Sequence, residues 1–146
     1  MAIKATVYKA TLQIADMDRG LYATHTVTLA RPRVLVVDDE RYNRELVQRT
    51  LARYADVLVA CDLDEALAAC AAVAVDVLIT DQRLGAGTGT ELAARVRAAA
   101  PQTRIVLITG YVEDAEVIAA QAAGLVDDVI GKPFAPIALR QRVLGP

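Results

Sequence analysis

The chain has 146 residues, a formal net charge of −2, 55 % hydrophobic residues, one Phe and no Trp, which is enough for one domain or for a domain with an appendage. The charge balance offers no basic footprint for nucleic acid, and no apolar run approaches the roughly 20 residues that cross a bilayer. No basic-then-apolar leader opens the chain, so it reads as cytoplasmic with no membrane partner.

The first segment is rich in Thr, Val, Ile and Tyr. "IKATVYKATLQIA" and "LYATHTVTLA" read as strands, and "DMDRG" between them, ending in Gly20, reads as a hairpin turn. His25 lies in the second strand and is given no ligand or catalytic role. From Arg33 the rhythm changes. Short apolar runs at 34–37, 57–61, 77–80, 105–109 and 126–130 alternate with Ala/Leu/Glu/Arg segments at 40–53, 63–72, 89–100, 113–123 and 135–144. In the first of those segments Tyr42, Leu46, Val47 and Leu51 recur at helical spacing. Cys61 and Cys70 form neither a disulfide framework nor a metal pattern, so both are expected as buried, reduced thiols.

Apolar strands alternating with helices predict an α/β fold, a doubly wound parallel five-stranded sheet of (βα)5 type carrying an N-terminal β-hairpin. Such a sheet binds its ligands outside the carboxyl ends of the strands. Read together, those ends carry Asp38, Asp39 and Glu40 in "RVLVVDDE", Asp81 in "LITDQRLGAGTG", Thr109 in "VLITGY" and Lys132 in "VIGKPF". Crowded carboxylates raise one another's pKa unless a cation intervenes. Mg²⁺ resolves the conflict with oxygen ligands and one or two protein carboxylates. Asp39 and Asp81 are suited to bind it directly, with Asp38 acting through water. One Asp can then serve as nucleophile in an aspartyl-phosphate, with Lys132 supplying charge and Thr109 a hydroxyl donor to the phosphoryl oxygens.

These four motifs, in this order and each at a strand end, resemble the receiver domain of two-component response regulators, with its flavodoxin-like fold. The resemblance covers 33–144. It implies Asp38 and Asp39 as magnesium-site acids, Asp81 as phosphoacceptor, Thr109 as the switch threonine and Lys132 as the phosphate-binding lysine. It further implies a cis peptide before Pro133 and the Arg83 backbone carbonyl as a metal ligand. The implied partner is a histidine kinase or a phosphotransfer protein, with a homodimer open to the fold. The implied role is a signalling phosphoacceptor that assists its own phosphorylation and slow dephosphorylation, not an enzyme. An aspartate-nucleophile hydrolase would carry an acid where Arg83 stands.

Three features depart from the family pattern. The loop after Asp81 holds Gly85, Gly87 and Gly89 in place of the usual proline. Val129 stands where the family often has the Tyr or Phe that couples to the switch threonine, which leaves Tyr111 as the aromatic side chain nearest the acceptor. No output domain follows in the sequence. The opening residues, about 1–31, with "YKATLQIADMDR", resemble the start of the YaeQ family, which is similar in fold to nucleases, but the resemblance brings no active-site residue with it. The expected units are a hairpin fragment at 1–31 and a receiver at 33–146. The competing functions are a phosphorylation-independent interaction module on the receiver fold and a nuclease-related protein.

Overall fold

The computed structural model describes residues 6–145, with backbone alone at 6–12 and 27–30. Residues 3–5 of the first expected strand lie outside the described residues. Strands β1 (Thr6–Asp16) and β2 (Leu21–Arg31) pair antiparallel along their whole length, from Thr6↔Arg31 to Asp16↔Leu21. The connecting turn needs a residue at φ 61°, which Gly20 provides without the Cβ penalty of other residues. Side chains 13–26 of this hairpin are exposed, His25 among them.

After Pro32 the chain enters β3 (Arg33–Val37), followed by α1 (Arg41–Leu51), β4 (Asp56–Ala60), α2 (Leu63–Ala72) and β5 (Val77–Asp81). Two short strands, β6 (Arg83–Leu84) and β7 (Gly87–Thr88), then lead to α3 (Gly89–Ala99), β8 (Arg104–Thr109), α4 (Ala115–Ala122), β9 (Asp128–Gly131) and α5 (Pro136–Leu144). Strands β4-β3-β5-β8-β9 form one sheet in that order, every pair parallel. This is the expected doubly wound arrangement with its switch point between β3 and β5.

Burial on both faces explains the continuous apolar runs. Val34 and Val36 face α1 and α5, where they pack with Val47, Leu51, Leu139 and Val143. Leu35 and Val37 face the other side, with Ala66, Leu92, Val96 and Val117 of α2, α3 and α4. Both layers are built mainly from aliphatic side chains, and the chain's one Phe, Phe134, packs against the α1/α5 layer.

The boundaries differ from expectation at definite places. Strand β9 starts at Asp128 because Val126, though buried, lies in the turn, and Asp127 is spent on accepting from Ile105 N–H at 2.8 Å. Helix α4 starts at Ala115 because Asp114 caps it through Glu116 N–H. Tyr42, expected on the buried face of α1, is 73 % exposed in its first turn. Cys61 and Cys70 are free thiols, half-buried rather than buried. Cys61 follows the end of β4, where its N–H donates to Glu65 while Asp62 accepts from Glu65 N–H, a reciprocal cap on α2.

Candidate functional site

Strand β3 delivers two acids to opposite environments. Asp38 is buried, its N–H bonded to Ala60 O at 3.2 Å, while Asp39 is exposed. Asp38 Oδ1 accepts from Glu40 N–H at 2.9 Å, and Arg44 of α1 clamps the Asp38 carbonyl at 2.8 Å. The third acid, Asp81, is the last residue of β5. Carboxylate oxygens of Asp38, Asp39 and Asp81 lie within 4.8 Å of one another.

Lys132 reaches this group from the end of β9. Its Nζ donates to Asp81 Oδ2 at 3.0 Å and lies 3.5 Å from Asp38 Oδ2. Its backbone N–H donates to the Thr109 carbonyl at 2.8 Å, and the Lys132–Pro133 peptide is cis. Burial alone would lower the lysine's pKa, but its bonds to Asp81 and Asp38 and their charges outweigh this and raise it. Burial pushes the Asp38 carboxyl up. The Glu40 N–H and Lys132 oppose that push, and the charges of Asp81 and Asp39 reinforce it. Three carboxylates against one ammonium leave an excess of hard oxygen donors, the donor set that suits a small divalent cation.

Thr109 ends β8, buried, with its Oγ1 accepting from Tyr111 N–H at 3.0 Å. Arg83, in the segment after β5, and Tyr111, in the loop after β8, are both exposed and stack on each other, the guanidinium carbon 4.6 Å from the ring centroid. Val129 is half-buried against the α2/α3/α4 side of the core. A cleft of about 360 Å³ opens beside Asp38, Asp81 and Lys132, floored by Val36, Ile79 and Phe134.

Within the glycine-rich loop, Arg83↔Thr88 and Leu84↔Gly87 form a two-residue antiparallel ladder. Gly85 turns it at φ 71°, and Thr88 with Glu91 makes a capping box for α3. Gly89 is set hard against the end of β5, for a Cβ there would lie 2.2 Å from the Asp81 carbonyl oxygen. Missing from the strand-end pattern is Gln82, which is buried and donates its N–H to Asp81 Oδ1 at 2.7 Å. Its side chain pairs with Thr90, eight residues on, and Thr90 in turn bonds Glu116 of α4, so that no local spacing in the sequence marks the group.

The model of the response regulator receiver domain matches residues 34–144, and that of the YaeQ protein matches residues 1–32. This chain belongs to the response regulator receiver family. The family's part in two-component signalling is that of phosphoacceptor. Among curated relatives, the virulence sensor protein BvgS of Bordetella pertussis is 37 % identical over 150 residues, 97 % of this chain and 12 % of that protein. The response regulator protein PilR of Pseudomonas aeruginosa is 36 % identical over 100 residues, 68 % of this chain and 22 % of PilR. The chain spans well under half the length of both. The chemotaxis regulator CheY4 of Vibrio cholerae superposes with a TM-score of 0.68 at 29 % identity, covering 77 % of this receiver chain and 96 % of CheY4. A Burkholderia pseudomallei response regulator, solved with a phosphorylated aspartic acid, calcium ion and citrate, superposes at 0.70 with 28 % identity, over 77 % of this chain and 66 % of that one. Among the described residues, no helix of the receiver is long and apolar enough to cross a membrane.

Proposed function

We propose that Asp81 is the phosphoacceptor, charged by the phosphohistidine of a histidine kinase or phosphotransfer protein. The observation that carries this is the Lys132 ammonium, 3.0 Å from Asp81 and 3.5 Å from Asp38, at the rim where three carboxylates converge. An Asp81 carboxylate oxygen attacks phosphorus. A P–O bond forms as the P–N bond breaks, and the imidazole nitrogen leaves with the electron pair. Lys132 follows the charge from the carboxylate to the phosphoryl oxygens, and Thr109 offers its hydroxyl to them.

Asp39, Asp81 and the Arg83 carbonyl would hold Mg²⁺, with Asp38 beside them. When bound, the ion neutralises charge on the phosphoryl oxygens and the carboxylates alike. The regulator of Burkholderia pseudomallei supports the reading, since a phosphorylated aspartate and a divalent cation occur in one structure of this fold. Residues 33–146 act as the receiver unit and 1–31 as its appendage, a division supported by the break at Pro32 between β2 and β3.

The test is intact mass after incubation with acetyl phosphate and Mg²⁺. The parent gains one phosphoryl group and Asp81→Asn gains none while keeping its fold. A phosphoryl gain in Asp81→Asn would remove Asp81 from the role. No gain in the parent would favour the phosphorylation-independent interaction module, for which half-buried Val129, in place of a mobile aromatic ring, is the supporting observation.

A further inference from the structure

Gln82 does more than follow the acceptor. Its backbone N–H donates to Asp81 Oδ1 at 2.7 Å, and its own carbonyl accepts from Gly89 N–H at 2.9 Å. Its buried amide grips Thr90 at both ends. Thr90 N–H donates to Gln82 Oε1 at 3.0 Å, and Gln82 Nε2 donates to Thr90 Oγ1 at 3.2 Å. A hydroxyl has one proton, and Thr90 sends it to Glu116 Oε1, in the first turn of α4. Thr88 Oγ1 reaches the same oxygen at 3.4 Å. The chain therefore has a direction, from amide through hydroxyl to carboxylate. Ending on a charge strengthens each bond in it.

We propose that Gln82, Thr90 and Glu116 form a latch through which the state of Asp81 is read on the first turn of α4. The proposal rests on Asp81 being the acceptor. Phosphorylation esterifies one carboxylate oxygen and turns the other into a neutral carbonyl, so Gln82 N–H loses a charged acceptor whichever oxygen reacts. The peptide at 82 is then free to shift. It cannot shift alone, because Gly89 packs on the Asp81 carbonyl with no room for a Cβ and the Gln82 side chain holds Thr90 directly. The latch closes in the unphosphorylated state and opens when the acceptor is filled. With Val129 at the position where an aromatic ring would report the site, this polar chain is the readout toward α4. By linkage, a latch that favours the empty acceptor must also weaken binding at the acceptor.

Hydrogen exchange at the amides of 115–118, with and without beryllofluoride and Mg²⁺ as a non-covalent phosphoryl mimic, reads the latch. In the parent, beryllofluoride should speed exchange there by about fivefold or more. Thr90→Val removes the hydroxyl at nearly constant shape, and Glu116→Ala cuts the chain on an exposed helix face where folding is not at stake. In both, exchange should be fast without the mimic and unmoved by it, and beryllofluoride should bind about fivefold tighter. Thr90→Ser keeps the hydroxyl and should behave as the parent.

Parent-like coupling in both cut variants overturns the latch. Uncoupled exchange with unchanged or weaker beryllofluoride binding also overturns it, by reducing the chain to a structural staple between α3 and α4. So does a parent that takes the mimic with 115–118 unmoved, which leaves the acceptor assignment standing. A parent that gains neither beryllofluoride nor phosphoryl mass overturns both, and the mass measurement separates that case from the others.

Discussion

The lifetime of a phosphorylated state is set by access of water in line with the bond to be broken, and we predict that Arg83, two residues after Asp81, and Tyr111, two after Thr109, gate that approach. Their stack, 4.6 Å from guanidinium carbon to ring centroid and exposed, is a cation–π contact of about 0.5–1 kcal/mol. That energy corresponds to about a two- to fivefold preference for the closed arrangement. Losing the stack alone, in Arg83→Ala, should speed loss of phosphate by no more than that factor. Replacing both residues, Arg83→Asn with Tyr111→Glu, opens the path and also gives the attacking water a carboxylate, and base assistance adds on the order of a hundredfold. The parent should hold its phosphate for minutes or longer. The assay is decay of the phosphorylated mass after acetyl phosphate is removed, with Mg²⁺ constant. If the double variant loses phosphate no faster than the parent, the two side chains do not gate the water. If Arg83→Ala alone gives the whole acceleration, the guanidinium acts through its charge on the phosphoryl oxygens and not through the stack.

Asp39→Ala should weaken Mg²⁺ binding by on the order of tenfold or more, read as a smaller Mg²⁺-dependent rise in Tm; an unchanged rise takes Asp39 out of the metal site. The raised carboxyl of Asp38 makes the folded state the better proton binder just above the ordinary value of 3.8, so this group's contribution to stability falls as pH rises through that range and on through the raised value. Asp38→Asn, which keeps an oxygen for Glu40 N–H, should flatten that slope and raise metal-free stability at pH 7; denaturant melts with the parent's slope would contradict it. Gly89→Ala would place a Cβ 2.2 Å from the Asp81 carbonyl and 2.7 Å from Leu107 Cδ1, and should cost about 2 kcal/mol or more while slowing phosphorylation. A variant as stable and as reactive as the parent would mean that α3 moves away at no cost.

The rim was legible because it obeys a rule of position: a charged residue at the end of a buried, mainly apolar run marks a strand's carboxyl end, as Asp38 does directly after Val37, Asp81 after Thr80 and Lys132 after Gly131. The doubly wound order was legible for the same reason, since the apolar runs at 34–37, 77–80 and 105–109 lack alternation. What the sequence hid depended on tertiary partners. Val126 has the composition of a strand residue and the position of a turn residue, and only the pairing of Asp127 with Ile105 N–H separates the two. Tyr42 keeps helical spacing yet points outward, because the periodicity of a first turn counts spacing and not packing. Gln82 resembles any polar residue after a strand; its value comes from Thr90 and Glu116, which lie 8 and 34 positions further along the chain.

The sheet divides the interior into two aliphatic layers that meet only through the strand backbones. The layer under α2, α3 and α4 underlies the elements that the latch ties together, while the layer under α1 and α5 carries neither Gln82 nor Thr90. Substitutions in the two layers should therefore combine additively. That separability makes the α1/α5 layer an engineering field of its own. Leu51, Leu139 and Val143 can be repacked for thermal tolerance, whereas Val47 lines the cleft beside Asp81 and Lys132 and should be kept; a departure from additivity would locate where the strand backbones transmit strain.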